Sequence, residues 1–142
     1  MGFEIEGIDK LMSALTTMSN PDFADQALMQ GMRLGGKMVQ GTAKQICPVG
    51  DPAVDPNSGN LRNSIEVTDI ANGVEIGTNV EYAPYVEFGT GQRGDPSVPH
   101  REDWVGQSPQ PYLYPALKAN EENIQKIVKD TLQTKINKVV GK

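Results

Sequence analysis

The pattern of apolar residues predicts two helical flanks around a proline-rich middle. In the first flank, residues 8–47, the apolar positions of residues 8–15 follow helical spacing, and this short helix ends near residue 18. Residues 20–22 (Asn-Pro-Asp) then favour a new helix start, since they supply a cap, an N-terminal proline and an early carboxylate. We expect a long second helix that Pro48 ends. Its predicted apolar face is Leu28, Met32, Gly35, Val39, Ala43 and Ile46.

Four glycines lie inside this second predicted helix: Gly31, Gly35, Gly36 and Gly41. Each glycine in a helix interior costs about 1 kcal/mol relative to alanine. The accumulated cost indicates either that another element packs closely against this backbone or that the helix bends. A helix broken near Gly35-Gly36 is the alternative interpretation.

The middle of the chain has the composition of a loop followed by a β-hairpin. Residues 47–60 contain three prolines and two glycines and are predicted to form a loop. In the predicted hairpin, residues 61–78, Ile65 and Val67 alternate with polar neighbours, and a turn precedes a second alternating run at residues 74–78. Because a two-stranded hairpin is marginal alone, we expect it to lie on the long helix or to gain further strands.

Residues 81–88 predict a short helix that begins at an Ala-Pro dipeptide and ends before a glycine. We expect its Tyr85, Val86 and Phe88 to face inward. The following residues 89–110 are predicted to be loop throughout. An unstructured connection of about 20 residues is uncommon in a small domain and is usually functional or disordered.

The second helical flank, residues 115–140, is predicted to be one long amphipathic helix. Its apolar positions are Leu117, Ile124, Ile127, Val128, Leu132, Ile136 and Val139. These elements indicate a single domain over residues 1–142 of the α+β class. We expect a small antiparallel β-sheet packed on a long N-terminal helix and a long C-terminal helix, with long loops.

Charge is unevenly distributed along the chain. Thirteen Lys and Arg against 18 Asp and Glu give a net charge of −5, which argues against a protein that coats nucleic acid. Residues 118–142 hold six lysines and three acidic residues, a net of +3, so residues 1–117 carry −8. The lysines are typical of a solvated helix face, and a nucleic-acid-binding module that uses this face is the alternative.

The chain has little of the usual catalytic chemistry, with one cysteine and one histidine among its 142 residues. Two N/S ligands do not make a structural zinc site, and one cysteine excludes an intrachain disulfide. Cys47 and His100 can in principle form a nucleophile pair, as in a small hydrolase. However, Cys47 is predicted at a helix C-terminus, where the dipole raises a thiol pKa. We therefore predict no catalytic residue and no enzymatic activity.

Two further motifs resemble binding sites and are better explained as loops. Residues 89–94 match G-x-G-x-x-G, but Asp-Pro follows instead of the helix that a dinucleotide site needs. Asp51, Asp55 and Asn57 have oxygen ligands at short spacing, but prolines interrupt any calcium-loop pattern. We predict no cofactor and no metal site.

Three segments, in this order, resemble a known family. They are SGNLRNSI at residues 58–65, IGTNVEYAPYVEFGT at residues 76–90 and PQPYLYPAL at residues 109–117. Together with the long helix before them, they resemble the gene-ten-like family of phage HK-ninety-seven, small head–tail joining or tail-completion proteins of long-tailed bacteriophages. The likeness covers nearly the whole chain from about residue 7. The insert at residues 91–108 is variable in such proteins, and no function transfers to it.

The resemblance implies a structural subunit of a homo-oligomeric ring, commonly hexameric, at the head–tail junction of the virion. The implied partners are further copies of the chain, the neck or connector proteins and the major tail tube protein, while genomic DNA passes through the ring without specific binding. A different neck component, such as a stopper or adaptor, is the alternative. The first residues do not resemble a signal peptide, and no apolar run is long enough for a membrane span. We expect the chain to be in the host cytoplasm during assembly and to have no contact with a membrane.

Candidate interface residues are the aromatic and charged side chains of the motifs and of the long loop. Trp104 in particular is either an intramolecular plug or an anchor for a partner. The set is Tyr82, Tyr85, Glu87, Phe88, Arg93, Arg101, Trp104, Tyr112 and Tyr114.

Overall fold

The computed structural model describes residues 5, 7–51, 53–54, 56–96 and 105–141. Within them the chain is an α+β fold in which two long helices and a small antiparallel sheet form the body. The helices are α1 (Asp9–Met18), α2 (Pro21–Ile46), α3 (Asn60–Asn63), α4 (Ala83–Phe88) and α5 (Leu113–Val139), the strands are β1 (Glu66–Ile70) and β2 (Gly73–Gly77), and Gly91–Arg93 form a 3-10 turn.

The start of α2 confirms the predicted boundary. Asn20 has extended backbone angles, and its Oδ1 accepts a hydrogen bond from the backbone N–H of Phe23 at 2.8 Å. Pro21 occupies the first helical position, where no N–H is needed. The helix then continues without interruption to Ile46, so the alternative of a break near Gly35-Gly36 is wrong.

The buried glycines of α2 allow other elements to approach its backbone from two sides. A Cβ atom at Gly31 would lie 3.1 Å from the Cα of Val128 on α5. A Cβ at Gly36 would lie 3.0 Å from Val67 Cγ1, on the hairpin. Close packing therefore explains these positions, as it does Gly35, whereas Gly41 is exposed and has nothing within 4 Å. The interpretation that an element packs against this backbone is confirmed for three of the four.

The core lies mainly between α2 and α5, which run antiparallel and are covered at one side by α1. Ile46 and Val139 were predicted on the buried faces and are exposed, because each lies in the last turn of its helix. Between these two helices a polar residue is also buried: Asn120 donates to Thr42 Oγ1 at 2.9 Å and to the carbonyl of Ala116 at 2.8 Å. The buried apolar residues are Leu15, Ala24, Ala27, Val39, Ala43, Cys47, Leu61, Ile65, Ala83, Tyr112, Ala116, Ile124, Val128, Leu132 and Ile136.

The hairpin begins five residues later than its predicted start at Leu61. Asn60–Asn63 form a helical turn because Gly59 enters it with a left-handed φ of +86° and the Ser64 hydroxyl donates to the Leu61 carbonyl at 2.7 Å. Leu61 and Ile65 are both buried, with the spacing of one helical turn. The alternation therefore marks a strand from Glu66 onward, and Ile65 lies just before it.

One face of the hairpin packs on α2. Val67 pairs with Ile76 and Asp69 with Val74, so these four side chains share that face. Asp69 also accepts hydrogen bonds from Arg33 Nε at 3.0 Å and Arg33 Nη2 at 2.8 Å. This two-point ion pair fixes the hairpin across the helix, as a lysine at the same place would not. Among the described residues the sheet has two strands, and each has an outer edge without a strand partner.

Candidate interaction surface at α4 and the start of α5

A buried carboxylate joins α4 to the beginning of α5. Glu87 is only 6% exposed, and its Oε2 accepts hydrogen bonds from the backbone N–H groups of Tyr112 at 2.8 Å and Leu113 at 3.0 Å. Its Oε1 accepts from the N–H of Tyr114 at 3.0 Å. Burying a carboxylate is costly unless it is well bonded, and here three donors and the positive end of the helix dipole compensate.

This arrangement satisfies the whole first turn of α5. A helix start leaves its first N–H groups without acceptors, and the side chain of Tyr112, the N-cap residue, makes no capping hydrogen bond. Glu87 accepts the first three of these N–H groups, and the next residue, Pro115, has none to donate. The PYLYP segment therefore takes the acceptors for its first N–H groups from α4.

The buried side of α4 differs from the prediction. Tyr85 and Phe88, expected to face inward, are 60% and 41% exposed, while Val86 is half-buried. The reason is helical phase: Ala83 and Glu87 are one turn apart and both point inward, so the tyrosine and the phenylalanine must point away. Because Glu87 points inward to cap α5, α4 is oriented so that Tyr85 and Phe88 are exposed.

The result is an exposed group of aromatic side chains, which we call the aromatic surface. It consists of Tyr82, Tyr85 and Phe88, spaced three residues apart along one side of α4, and Tyr114 at the start of α5. Tyr82 is 46% and Tyr114 51% exposed. Tyrosines on a rigid support are typical of protein–protein contacts, because they bury large area at low entropic cost.

The base of the long connection beside this surface is held by backbone hydrogen bonds, and apart from the 3-10 turn its described residues form no helix or strand, as the prediction of a loop expects. Thr90 N–H donates to the Gln107 carbonyl at 2.9 Å, and Arg93 N–H donates to the Val105 carbonyl at 2.9 Å. Gly106 has a φ of +68°, and a Cβ atom there would collide with the Thr90 carbonyl. The glycine-rich G-x-G-x-x-G segment is thus a tight turn, and the two described residues directly after it, Asp95 and Pro96, are not helical.

The predicted interface residues divide into three groups. The four of the aromatic surface and Arg93 are exposed. Glu87 and Tyr112 are buried within the chain, where they have structural roles, so neither presents a surface to a partner. Arg101 and Trp104 lie outside the described residues, as does His100 of the hypothetical nucleophile pair.

The environment of Cys47 does not favour thiolate chemistry. Cys47 is buried at the C-cap of α2, and burial raises the pKa of its thiol. Burial, helped by Cys47 and Glu87, also raises the pKa of Tyr112 to about 12. The Tyr112 hydroxyl is fully enclosed and has no hydrogen-bond partner among the described residues. Cys47 and Tyr112 therefore stay protonated at neutral pH.

The remaining candidate site contributes to a turn. Asp51 Oδ1 accepts a hydrogen bond from the Ala53 N–H at 2.9 Å, and its carbonyl accepts from the Val54 N–H at 3.0 Å. Asp55 is outside the described residues. No group of three His, Cys, Asp or Glu side chains suited to a metal ion occurs in the part of the chain that the structure describes. Within that part, no helix has both the length and the apolar character needed to cross a membrane.

Sequence reasoning missed the role of Glu87, although a signal for it exists. A long helix that starts after Pro-Tyr, with no Ser, Thr, Asp or Asn before it, needs an acceptor from elsewhere in the fold. The YAPYVEFG segment contains a glutamate among apolar neighbours, which is unusual for a side chain with no partner.

Comparison with known proteins confirms the family resemblance over the first two of its three motif segments, and the third, residues 109–117, lies outside the match. A family model described as "Bacteriophage HK97-gp10, putative tail-component" matches residues 9–89, which is more than half of the 142-residue chain. The matched region runs from the start of α1 through α4 and the glycine that ends it. No curated protein and no solved structure matches the chain. The chain belongs to the HK97-gp10 family and has the structural role of a bacteriophage tail component in the virion.

Proposed function

We propose that the chain is a subunit of a homo-oligomeric ring that completes or terminates the tail and joins it to the head. The observation that carries this proposal is the aromatic surface, which is exposed, held on α4 by Glu87, and suited to contact with another protein. In the proposal, this surface contacts the neck or connector proteins or the major tail tube protein. The ring, which we expect to be hexameric, leaves a channel for DNA.

Two other features support a ring. The outer edges of β1 and β2 have no strand partner in the part of the chain that the structure describes, and a neighbouring copy can cover them. The charge difference between residues 1–117 and residues 118–142 favours head-to-tail contacts between copies. An acidic body also suits a channel through which DNA moves, because binding to phosphate is driven mainly by cations.

Complementation of a phage that lacks this gene tests the role of the aromatic surface. Phe88→Ala is the test variant and Leu34→Ala its control, because the two side chains are 41% and 39% exposed and each loses a large apolar group. We expect both proteins to unfold at the same temperature as the parent. Phe88→Ala should lower the yield of joined particles at least tenfold, whereas Leu34→Ala should leave it unchanged.

Three outcomes would contradict the proposal. Equal yields from the two variants would show that the aromatic surface makes no contact that joining requires. Equal losses of thermal stability and yield in Phe88→Ala would indicate a folding defect instead. Particles in which the chain lies elsewhere in the neck would favour a stopper or adaptor.

A further inference from the structure

An apolar groove of about 680 Å³ lies between the hairpin, the start of α1, α2 and the first half of α5. We call it the hairpin groove. It is separate from the aromatic surface, which contributes none of its lining residues. Its walls are mainly aliphatic, among them Ile8, Met32, Val39, Ile76, Leu117 and Ile124.

The polar residues of the hairpin groove lie on its exposed rim. Asp9, Asn72 and Glu75 are all exposed, and Ile70, also on the rim, is 49% exposed. Both charges on the rim are negative. A site for a small molecule usually has polar groups converging inside it, and the aliphatic walls of this groove lack that character. The groove therefore suits an apolar protein segment flanked by positive charge.

The chain presents such a segment at the end of α5. Val139 and Val140 are 37% and 47% exposed, and Lys138 is exposed beside them. The helix end is already closed by hydrogen bonds, from Val140 N–H to the Ile136 carbonyl at 3.1 Å and from Gly141 N–H to the Lys138 carbonyl at 3.2 Å. The segment is thus formed before any contact, and binding orders little additional backbone.

The aromatic surface is a poorer match for the same rim. Glu81 stands next to Tyr82 and would face the two rim carboxylates. Lys118, near Tyr114, is already paired with Glu121 at 3.4 Å. Charge complementarity therefore favours the end of α5 as the occupant.

We propose that the end of α5 of one copy, with Val139, Val140 and Lys138, binds in the hairpin groove of the next copy. This inference rests on the proposed ring and gives the contact that joins its subunits. The contact must form between chains, since Val139 lies about 22 Å along α5 from Ile124 at 1.5 Å per residue. Because donor and groove are different surfaces, the contact can repeat head-to-tail, as the proposed ring requires, and then gives a closed ring or an open chain.

Disulfide trapping of the full-length chain tests this contact. In a Cys47→Ala background, the double variant Ile70→Cys/Val140→Cys places one thiol on the groove rim and one on the donor segment. We expect mild oxidation, of the purified chain at high concentration and in lysates of infected cells, to give covalent dimers, trimers and larger species. A mixture of the two single variants should stop at the dimer, and each single variant alone should stay monomeric. Tyr85→Cys/Val140→Cys is the control, because Tyr85 is also well exposed but lies on α4.

Several results would overturn the inference. The double variant could stay at monomer mass in both settings, as expected if a segment of the same chain fills the groove. Ile70→Cys alone could dimerise as well as the mixture, which would indicate a symmetric contact. The control could crosslink as efficiently as the test pair, or Ile70→Cys could crosslink to another virion protein.

A charge exchange gives an independent readout and separates this inference from the proposed function. Glu75→Lys and Lys138→Glu should each lower the yield of joined particles at least tenfold, and the double variant should restore it. Glu75→Lys with Lys126→Glu, another exposed lysine of α5, should not. If the chain forms a ring at the head–tail junction but the variants show neither rescue nor trapped oligomers, this contact is wrong and the proposed function stands. If oligomers are trapped but the chain lies elsewhere in the particle, this contact stands and the proposed function is wrong.

Discussion

The Oε2 atom of Glu87 accepts a hydrogen bond from the backbone N–H of Tyr112 at 2.8 Å, across 25 positions of the chain. This bond makes the start of α5 depend on α4, and it turns α4 so that its aromatic side chains face outward. The same residue therefore contributes to folding and determines which surface the chain presents.

Replacing Glu87 should destabilise the protein strongly. Glu87→Ala leaves three backbone donors without their acceptor in a buried site, and we expect a loss of about 3 kcal/mol in the free energy of unfolding. Glu87→Gln keeps one acceptor oxygen, so its loss should be roughly half as large. Urea unfolding followed by circular dichroism measures both. Glu81→Ala, at an exposed position, is the control, and equal stability of Glu87→Ala and Glu81→Ala would contradict this role.

Two glycines of α2 should respond to alanine in opposite directions. Gly41→Ala meets nothing within 4 Å and should stabilise the protein by about 0.5–1 kcal/mol, since alanine is the better helix former. Gly31→Ala brings a methyl group to within 3.1 Å of the Val128 Cα, a backbone atom that cannot turn aside. We expect a loss of about 1–3 kcal/mol from overpacking. Thermal unfolding of the pair measures this, and a gain at both positions would mean that α5 lies farther from α2.

The enclosed hydroxyl of Tyr112 should be dispensable for stability at neutral pH. Tyr112→Phe removes an unpartnered buried polar atom and keeps the ring, so we expect equal stability or a gain of up to about 1 kcal/mol. A clear loss would show that the hydroxyl has a partner.

The pH dependence of the same variant follows from the raised pKa. The folded value of about 12 lies above the ordinary value of 10.0. The stability that protonated Tyr112 contributes is therefore present in full below pH 10 and is lost as the pH rises towards 12. Tyr112→Phe should be less sensitive to alkali over this interval, as measured by urea unfolding at stepped pH. Titration of tyrosinate absorbance should show one late group in the parent and none in the variant.

Local patterns predict the long elements of this fold well. Residues 20–22 contain the cap, proline and carboxylate of a helix start, and α2 begins there. The glycines at positions 31, 35 and 36 correctly indicate close approach, because no other property favours glycine in a helix.

One error has a local cause, and the others arise where a distant partner decides the local structure. Leu61 and Ile65 have a spacing that fits both a strand and a helical turn, and the left-handed Gly59 decides for the turn. Tyr85 and Phe88 were expected inside because they are large and aromatic. The N–H groups of α5, more than 20 residues away, instead need Glu87 inside. The hairpin groove is likewise assembled from four elements, and no single segment indicates it.

The location and copy number of the chain in the intact virion test the central claim most directly. Cryo-electron microscopy of purified particles should show a closed ring of this chain, which we expect to be hexameric, between the head's connector and the tail tube. The aromatic surface should contact a neighbouring protein, and acidic side chains should line the channel. A chain spread along the tail, present in a single copy, or absent from the head–tail junction would contradict the account.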